Sequence, residues 1–179
     1  MAMKTTLNKI REHSPCKSGW EKLLSHLGKT HADDEPLSLL TIIDSNGVND
    51  ALWCLRAVEN HDREIRLYSV WCARQVQHLV TDQRSLDGLD VAERFANGEA
   101  TQDELAAAYA AAYAAAAAYA VAAAYATAAD AADAYAAAYA AAAYAAYAAA
   151  RAAQKAELSR VCAAIDAGQD PYPRKMVQS

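Results

Sequence analysis

Side chains able to do chemistry are few in this chain and lie far apart. His13, Cys16, His26 and His31 have the residue types of a zinc donor set, but they bridge two expected helices and show no recurrent ligand spacing, so no metal is expected there. The four cysteines (Cys16, Cys54, Cys72, Cys162) form no CxxC pair. Two of them follow tryptophans, at Trp53-Cys54 and Trp71-Cys72. Cys72 falls in an apolar stripe, where a cysteine behaves as a small hydrophobe, so Trp53, Cys54, Trp71 and Cys72 are expected in the core. Arg63, Arg66 and Arg74, with Gln77, mark a basic helix face. It could grip phosphates or an acidic protein partner, or it could be a solvated face partly neutralised by Glu59 and Glu64. Asp33-Asp34-Glu35, just before Pro36, reads as the negative start of a helix. The chain contains no nucleophile elbow, phosphate loop or HExxH, and no convincing carboxylate pair. No catalytic residue and no cofactor is expected.

Composition narrows the partners. The 179 residues carry a formal charge of −5, and Lys and Arg are spread along the first hundred residues. Phosphate binding needs a concentrated basic surface, so nucleic acid is disfavoured as a partner. The opening residues lack the apolar core of a signal peptide, and with the scattered cysteines this points to a reducing cytoplasm. Residues 106–129 carry no charge and exceed the roughly 20 residues of a membrane span. They contain no Leu, Ile or Phe, and alanine gives little transfer energy, so no span is expected.

The elements that must position these groups read as helices, and no strand is expected. Ser18 and Glu21 suggest a capping box ahead of Trp20, Leu23, Leu24 and Leu27, with Gly28 as the stop. Pro36 suits the first turn of a helix ending at Asn46-Gly47. Residues 51–58 (Ala-Leu-Trp-Cys-Leu-Arg-Ala-Val) recur eighteen residues later as Ser-Val-Trp-Cys-Ala-Arg-Gln-Val, which predicts an αα-hairpin whose two helices present the same face. On the second copy Ile65, Tyr68, Cys72, Val76 and Leu79 share one stripe, with the arginines opposite. A further short helix carries Leu86, Leu89, Ala92, Phe95 and Ala96 and ends at Asn97-Gly98.

Thr101 and Glu104 form a second capping box, and no glycine or proline follows until Gly168. From there to Ala150 the chain is nearly all Ala with eight tyrosines: Tyr109, Tyr113, Tyr119, Tyr125, Tyr135, Tyr139, Tyr144 and Tyr147. Alanine is the best helix former, so the segment is helical on its own account. Unbroken to Ile165 it would run roughly 90 Å at about 1.5 Å per residue. A break near Thr127 to Asp133, where Asp130 and Asp133 are better caps than interior residues, is favoured over a continuous rod. Tyrosine rings on a flat alanine surface would aggregate if left bare, which points to self-association into a homo-oligomer or to burial within the fold. Low-complexity drift is the alternative. A regular row of threonines, as an ice-binding helix needs, is absent.

The runs from Asp50 to Val58, Asp62 to Val76 and Asp90 to Ala100, followed by the Ala/aromatic run, resemble a family of bacterial and phage proteins labelled as immunity proteins. The resemblance covers about residues 18–160. It implies a small cytoplasmic helical protein of a phage, prophage or other mobile element that neutralises a toxin or acts in phage–host conflict, with no catalytic residues to carry over. Family members vary the length and aromatic content of the Ala-rich part, which implies a spacer or assembly element. The architecture expected is all-α: a helical domain over residues 1–100, an Ala/Tyr-rich helix or hairpin over 101–167, and a loose tail over 168–179. The function expected is non-catalytic binding of a protein partner, with self-assembly and nucleic-acid regulation as alternatives.

Overall fold

The computed structural model describes residues 3–75, 77–80, 82–112 and 133–173, with residues 133–148 described as backbone. The chain is all-α, and its helices are short until the last. Before α1 (Leu7–Glu12) a two-residue strand, β1 (Lys4–Thr5), pairs antiparallel with β2 (Leu37–Ser38) in the register Lys4↔Ser38 and Thr5↔Leu37. This small ladder was not anticipated, because two residues are too few to show an alternating pattern. It pins Met3, 1% exposed, under the core.

Local chemistry sets each helix end. Thr6 caps α1 by accepting the Lys9 N–H. The helix α2 (Lys17–Leu27) starts after Cys16, with no side-chain cap, so the expected Ser18/Glu21 box does not form. Both residues lie inside the helix, where Glu21 sits 3.8 Å from Lys17. Gly28 ends α2 at φ 65°, in the left-handed region that glycine enters without a Cβ clash. Asp33 and Glu35 do not begin a helix either. They hold the Lys29 ammonium at 2.5 and 2.7 Å and fix the loop, which keeps the Asp33 carboxyl below its usual range. Pro36 precedes β2, and α3 (Leu39–Asn46) starts after Ser38, whose hydroxyl accepts the Leu40 N–H. Gly47, at φ 94°, turns the chain straight into α4 (Val48–Cys54), which tightens into a 3-10 turn over Leu55–Ala57.

Asn60 adopts a left-handed φ of 63° before α5 (Asp62–Arg74). A 3-10 turn over Gln77–Leu79 leads to α6 (Gln83–Ala96), capped by Asp82. The expected box at Thr101 and Glu104 does form: Glu104 accepts the Thr101 N–H at 2.7 Å and donates its own N–H to the Thr101 hydroxyl at 3.2 Å. It opens α7, helical over residues 102–112. The last helix, α8, spans Asp133–Asp166. The place of the expected break lies mostly in residues 113–132, outside the described residues.

Two compact units emerge, residues 1–65 with 151–179 and residues 66–150, a division different from the expected 1–100, 101–167 and 168–179. In the first unit Leu158, Val161, Cys162 and Ile165 of α8 are buried with Met3, Leu7, Ile10, Leu39 and Ile42. Their spacing of three and four residues gives one apolar stripe. Burial, with the Asp166 charge adding to it, pushes the Cys162 thiol up to about 12. The expected loose tail is pinned as far as it is described. Arg63 donates to Asp170 at 3.0 Å and to the Tyr172 carbonyl at 2.7 Å, Tyr172 donates its hydroxyl to Glu157, and Pro171 is buried. Proline punctuation marks where a helix stops, and these side-chain partners, over a hundred residues apart for Arg63, are invisible to local pattern.

Candidate functional site

The residues that come together in the first unit surround an open cleft of about 190 Å³ between α2, α3 and α4. Trp20 and Leu23 reach it from α2, Ile42 and Asn46 from α3, and Asp50 and Trp53 from α4. On α4 Asp50, Trp53 and Cys54 are spaced i, i+3, i+4 and so share one face. Asn46 fixes the geometry by donating its amide hydrogens to the Gly19 carbonyl and to Asp50 Oδ2, each at 2.8 Å, and so ties all three helices. Gly19 is needed in this arrangement. A Cβ there would meet Asp50 Oδ2 at 2.8 Å, closer than real Cβ contacts come. The carboxylate therefore occupies the space that a larger residue would fill.

Thiol chemistry is not offered by the buried member of the cleft. Burial, with the Asp50 charge adding to it, pushes the Cys54 thiol up to about 12, so the nucleophilic thiolate is scarce at neutral pH. Cys16, also on the cleft, is exposed.

The four residues expected in the core divide. Cys54 is buried as anticipated, at 4% exposed, whereas Trp53, Trp71 and Cys72 are half-buried. Trp53 lines the cleft with the Arg56 guanidinium 4.4 Å from its ring centroid. Trp71 stacks on Tyr68 at 6.4 Å.

The arginines expected on a solvated face are engaged within the chain. Arg63 holds the tail, Arg66 lies 4.8 Å over the Phe95 ring, and Arg74 grips Asp90 at 2.8 Å and Glu93 at 2.5 Å while donating to Gln77 at 3.2 Å. Helical spacing groups the three on one side, but it could not show that α6 and the tail supply their partners. An arginine committed to two carboxylates offers a poor grip to phosphate. His13, His26 and His31 are exposed and do not converge with Cys16; among the described residues no three potential ligands gather around a metal position.

Chain comparisons with protein-family models, curated proteins and solved structures found no match. Of the eight tyrosines, Tyr109 is described and is 72% exposed on α7. Tyr113, Tyr119 and Tyr125 lie outside the described residues, and Tyr135, Tyr139, Tyr144 and Tyr147 are on the part of α8 described as backbone. Two α7 alanines lie close to α6: a Cβ on Gly88 would stand 3.6 Å from the Ala112 methyl and 3.8 Å from the Ala108 carbonyl. Among the described residues no helix is long and apolar enough to cross a membrane, and most of the uncharged 106–129 stretch lies outside them.

The cleft itself went unnoticed in the sequence. One signal for it existed: a glycine inside a helix costs about 1 kcal/mol against alanine, and Gly19 sits in the first turn of α2, which marks a close approach.

Proposed function

We propose that this chain is a non-catalytic interaction protein of a phage or mobile element, immunity-like or anti-defence, that blocks another protein by docking it on the α2–α4 cleft. The observation that carries this reading is that Trp20 and Trp53 line one open cleft instead of closing the core. Half-buried indoles around a desolvated pocket are the usual anchors of protein interfaces. The family resemblance of residues 18–160 points the same way. Full-length protein immobilised in a bacterial host lysate should retain one stoichiometric partner, and a Trp20→Ala/Trp53→Ala variant with matching circular dichroism should lose it. Retention by both proteins would count against the cleft.

A second reading, self-assembly through the Ala/Tyr helices, is supported by Tyr109 standing 72% exposed on the stretch 105–112 of α7, otherwise alanine and Leu105. Light scattering of wild type and Tyr109→Ala separates the two. A change in mass with no change in partner retention favours assembly. Regulation through nucleic acid loses its support with the internal pairing of Arg63, Arg66 and Arg74.

A further inference from the structure

The cleft combines three features that an apolar interface pocket does not need together. Its volume, about 190 Å³, lies below the roughly 300–1,000 Å³ of small-molecule sites and suits one projecting side chain. Two indoles line it, and indole is the best aromatic acceptor of a cation over its face. A carboxylate, Asp50, also lines it, held in place by a single amide donor on Oδ2; among the described residues no hydrogen bond reaches Oδ1. An ionised carboxylate has about four acceptor positions, so most of its capacity is unused.

The geometry points to an arginine side chain of a partner protein as the occupant of this cleft, its guanidinium stacked against Trp20 or Trp53 and hydrogen-bonded to Asp50. Arginine fits better than lysine because its planar group both stacks on an indole and donates in a fork, whereas an ammonium is a compact, strongly hydrated charge. Trp53 already accepts one guanidinium, that of Arg56 at 4.4 Å, so its ring is electronically suited to the task. Arg56 would oppose a second cation, but at the Cys54 sulfur, inside the same cleft, the Asp50 charge outweighs that of Arg56. At that one position the negative charge outweighs the positive. The net charge of −5 adds a weaker attraction for basic partners at long range.

This inference rests on the docking role proposed above, and its test separates the two. The three tryptophans give three indole N–H signals in uniformly ¹⁵N-labelled full-length protein, two from the cleft and Trp71 as an internal reference. Titration with N-acetyl-arginine amide in the millimolar range should move the Trp20 and Trp53 signals and leave Trp71 still. N-acetyl-lysine amide should bind several-fold more weakly, and N-acetyl-leucine amide should have no effect. Asp50→Asn keeps the shape and an acceptor for Asn46 and should weaken arginine binding about 10-fold or more. Gly19→Ala, which displaces the carboxylate, should do the same if the first variant folds poorly. Equal responses to leucine or lysine amide, or a wild-type response in both variants, overturn the assignment. A protein partner retained equally by wild type and Asp50→Asn, with no arginine response, overturns it while leaving the docking role intact. An Asp50-dependent arginine response with no partner retained upholds the cleft chemistry and removes the docking role instead.

Discussion

The two copies of the Trp-Cys motif start from the same residues and end differently. In the first, α4 stops at Cys54 and the chain tightens into a 3-10 turn, which leaves the thiol buried, Trp53 on the cleft and Arg56 folded back over its ring. In the second, Ser69 to Arg74 of the motif run inside α5, with Cys72 half-buried, Trp71 stacked on Tyr68 and Arg74 drawn to the carboxylates of α6. Four shared residue types, Trp, Cys, Arg and Val, therefore do not define an environment. What differs is what each helix meets: Gly47 alone separates the end of α3 from the start of α4, whereas Asn60 and Asp62 open α5 after a loop. The repeat predicted two equivalent faces, and context made one a cleft wall and the other a strut.

The largest consequence is at the cysteines. Cys54→Asp places a charge at a 4% exposed position, one turn after Asp50, with no partner, and should cost roughly 3–5 kcal/mol. The same change at half-buried Cys72 should cost less than half as much, read as the shift in urea midpoint. Equal losses would break the distinction between the copies. Alkylation sharpens it without mutation. In folded protein at pH 8, iodoacetamide should label Cys16 first, and should leave Cys54 and Cys162, each pushed up to about 12 by burial, to react only on unfolding. Peptide mass mapping over time gives the order.

A smaller pair of opposite effects tests how tight each helix contact is. Gly88→Ala meets ordinary contact distance at 3.6 Å, so it should gain about 0.5–1 kcal/mol from helix propensity. Gly19→Ala has the same propensity gain, but its Cβ would stand 2.8 Å from Asp50 Oδ2, and the net change should be a loss of about 1 kcal/mol. Thermal melts of the two variants should move in opposite directions.

Where the sequence was legible, it was through signals confined to a few neighbouring residues. The Thr101/Glu104 box, the Gly28 stop and the Asn97-Gly98 end are each complete within four residues, and all three stand in the structure. Ser18/Glu21 looked equally good, yet α2 begins one residue before Ser18, and the Glu21 N–H that Ser18 would cap belongs to the intrahelical ladder instead. The cleft and the pinned tail were illegible for another reason. Asn46 to Gly19, Arg63 to Tyr172 and Cys162 to Met3 join positions far apart in the chain, and no periodicity records such pairs. At Tyr109 and from Tyr135 to Tyr147, where the segment is described, it was legible as helix, while the role of the rings depends on contacts the pattern does not carry.

The smallest effect separates the two arginines of the repeat. Arg74 spans Asp90, Glu93 and Gln77, whereas Arg56 lies on the Trp53 ring and donates Nε to the Trp53 carbonyl at 2.8 Å. Because the Arg74 side chain is about a third exposed, solvent screening holds Arg74→Ala to about 1 kcal/mol, at the upper end for surface ion pairs. Arg56→Ala should cost about 0.5 kcal/mol, typical of an exposed cation over an aromatic ring. Magnitudes this close do not distinguish the two, but salt does. The screening length falls from about 10 Å at 0.1 M to about 3 Å at 1 M, so the Arg74 contribution should shrink toward zero in 1 M NaCl. Much of the Arg56 contribution is contact between a flat, weakly hydrated group and an indole, and it should persist. Lysine substitution gives the same contrast in a second way, since a lysine retains a charge for Asp90 and Glu93 but cannot stack as a plane on Trp53. The expected outcome is that Arg74→Lys recovers most of the stability lost in Arg74→Ala, and that Arg56→Lys recovers little. Should both arginines respond alike to salt and to lysine, the two copies of the motif are held by the same interaction, and the difference drawn between cleft wall and strut fails at its charged end.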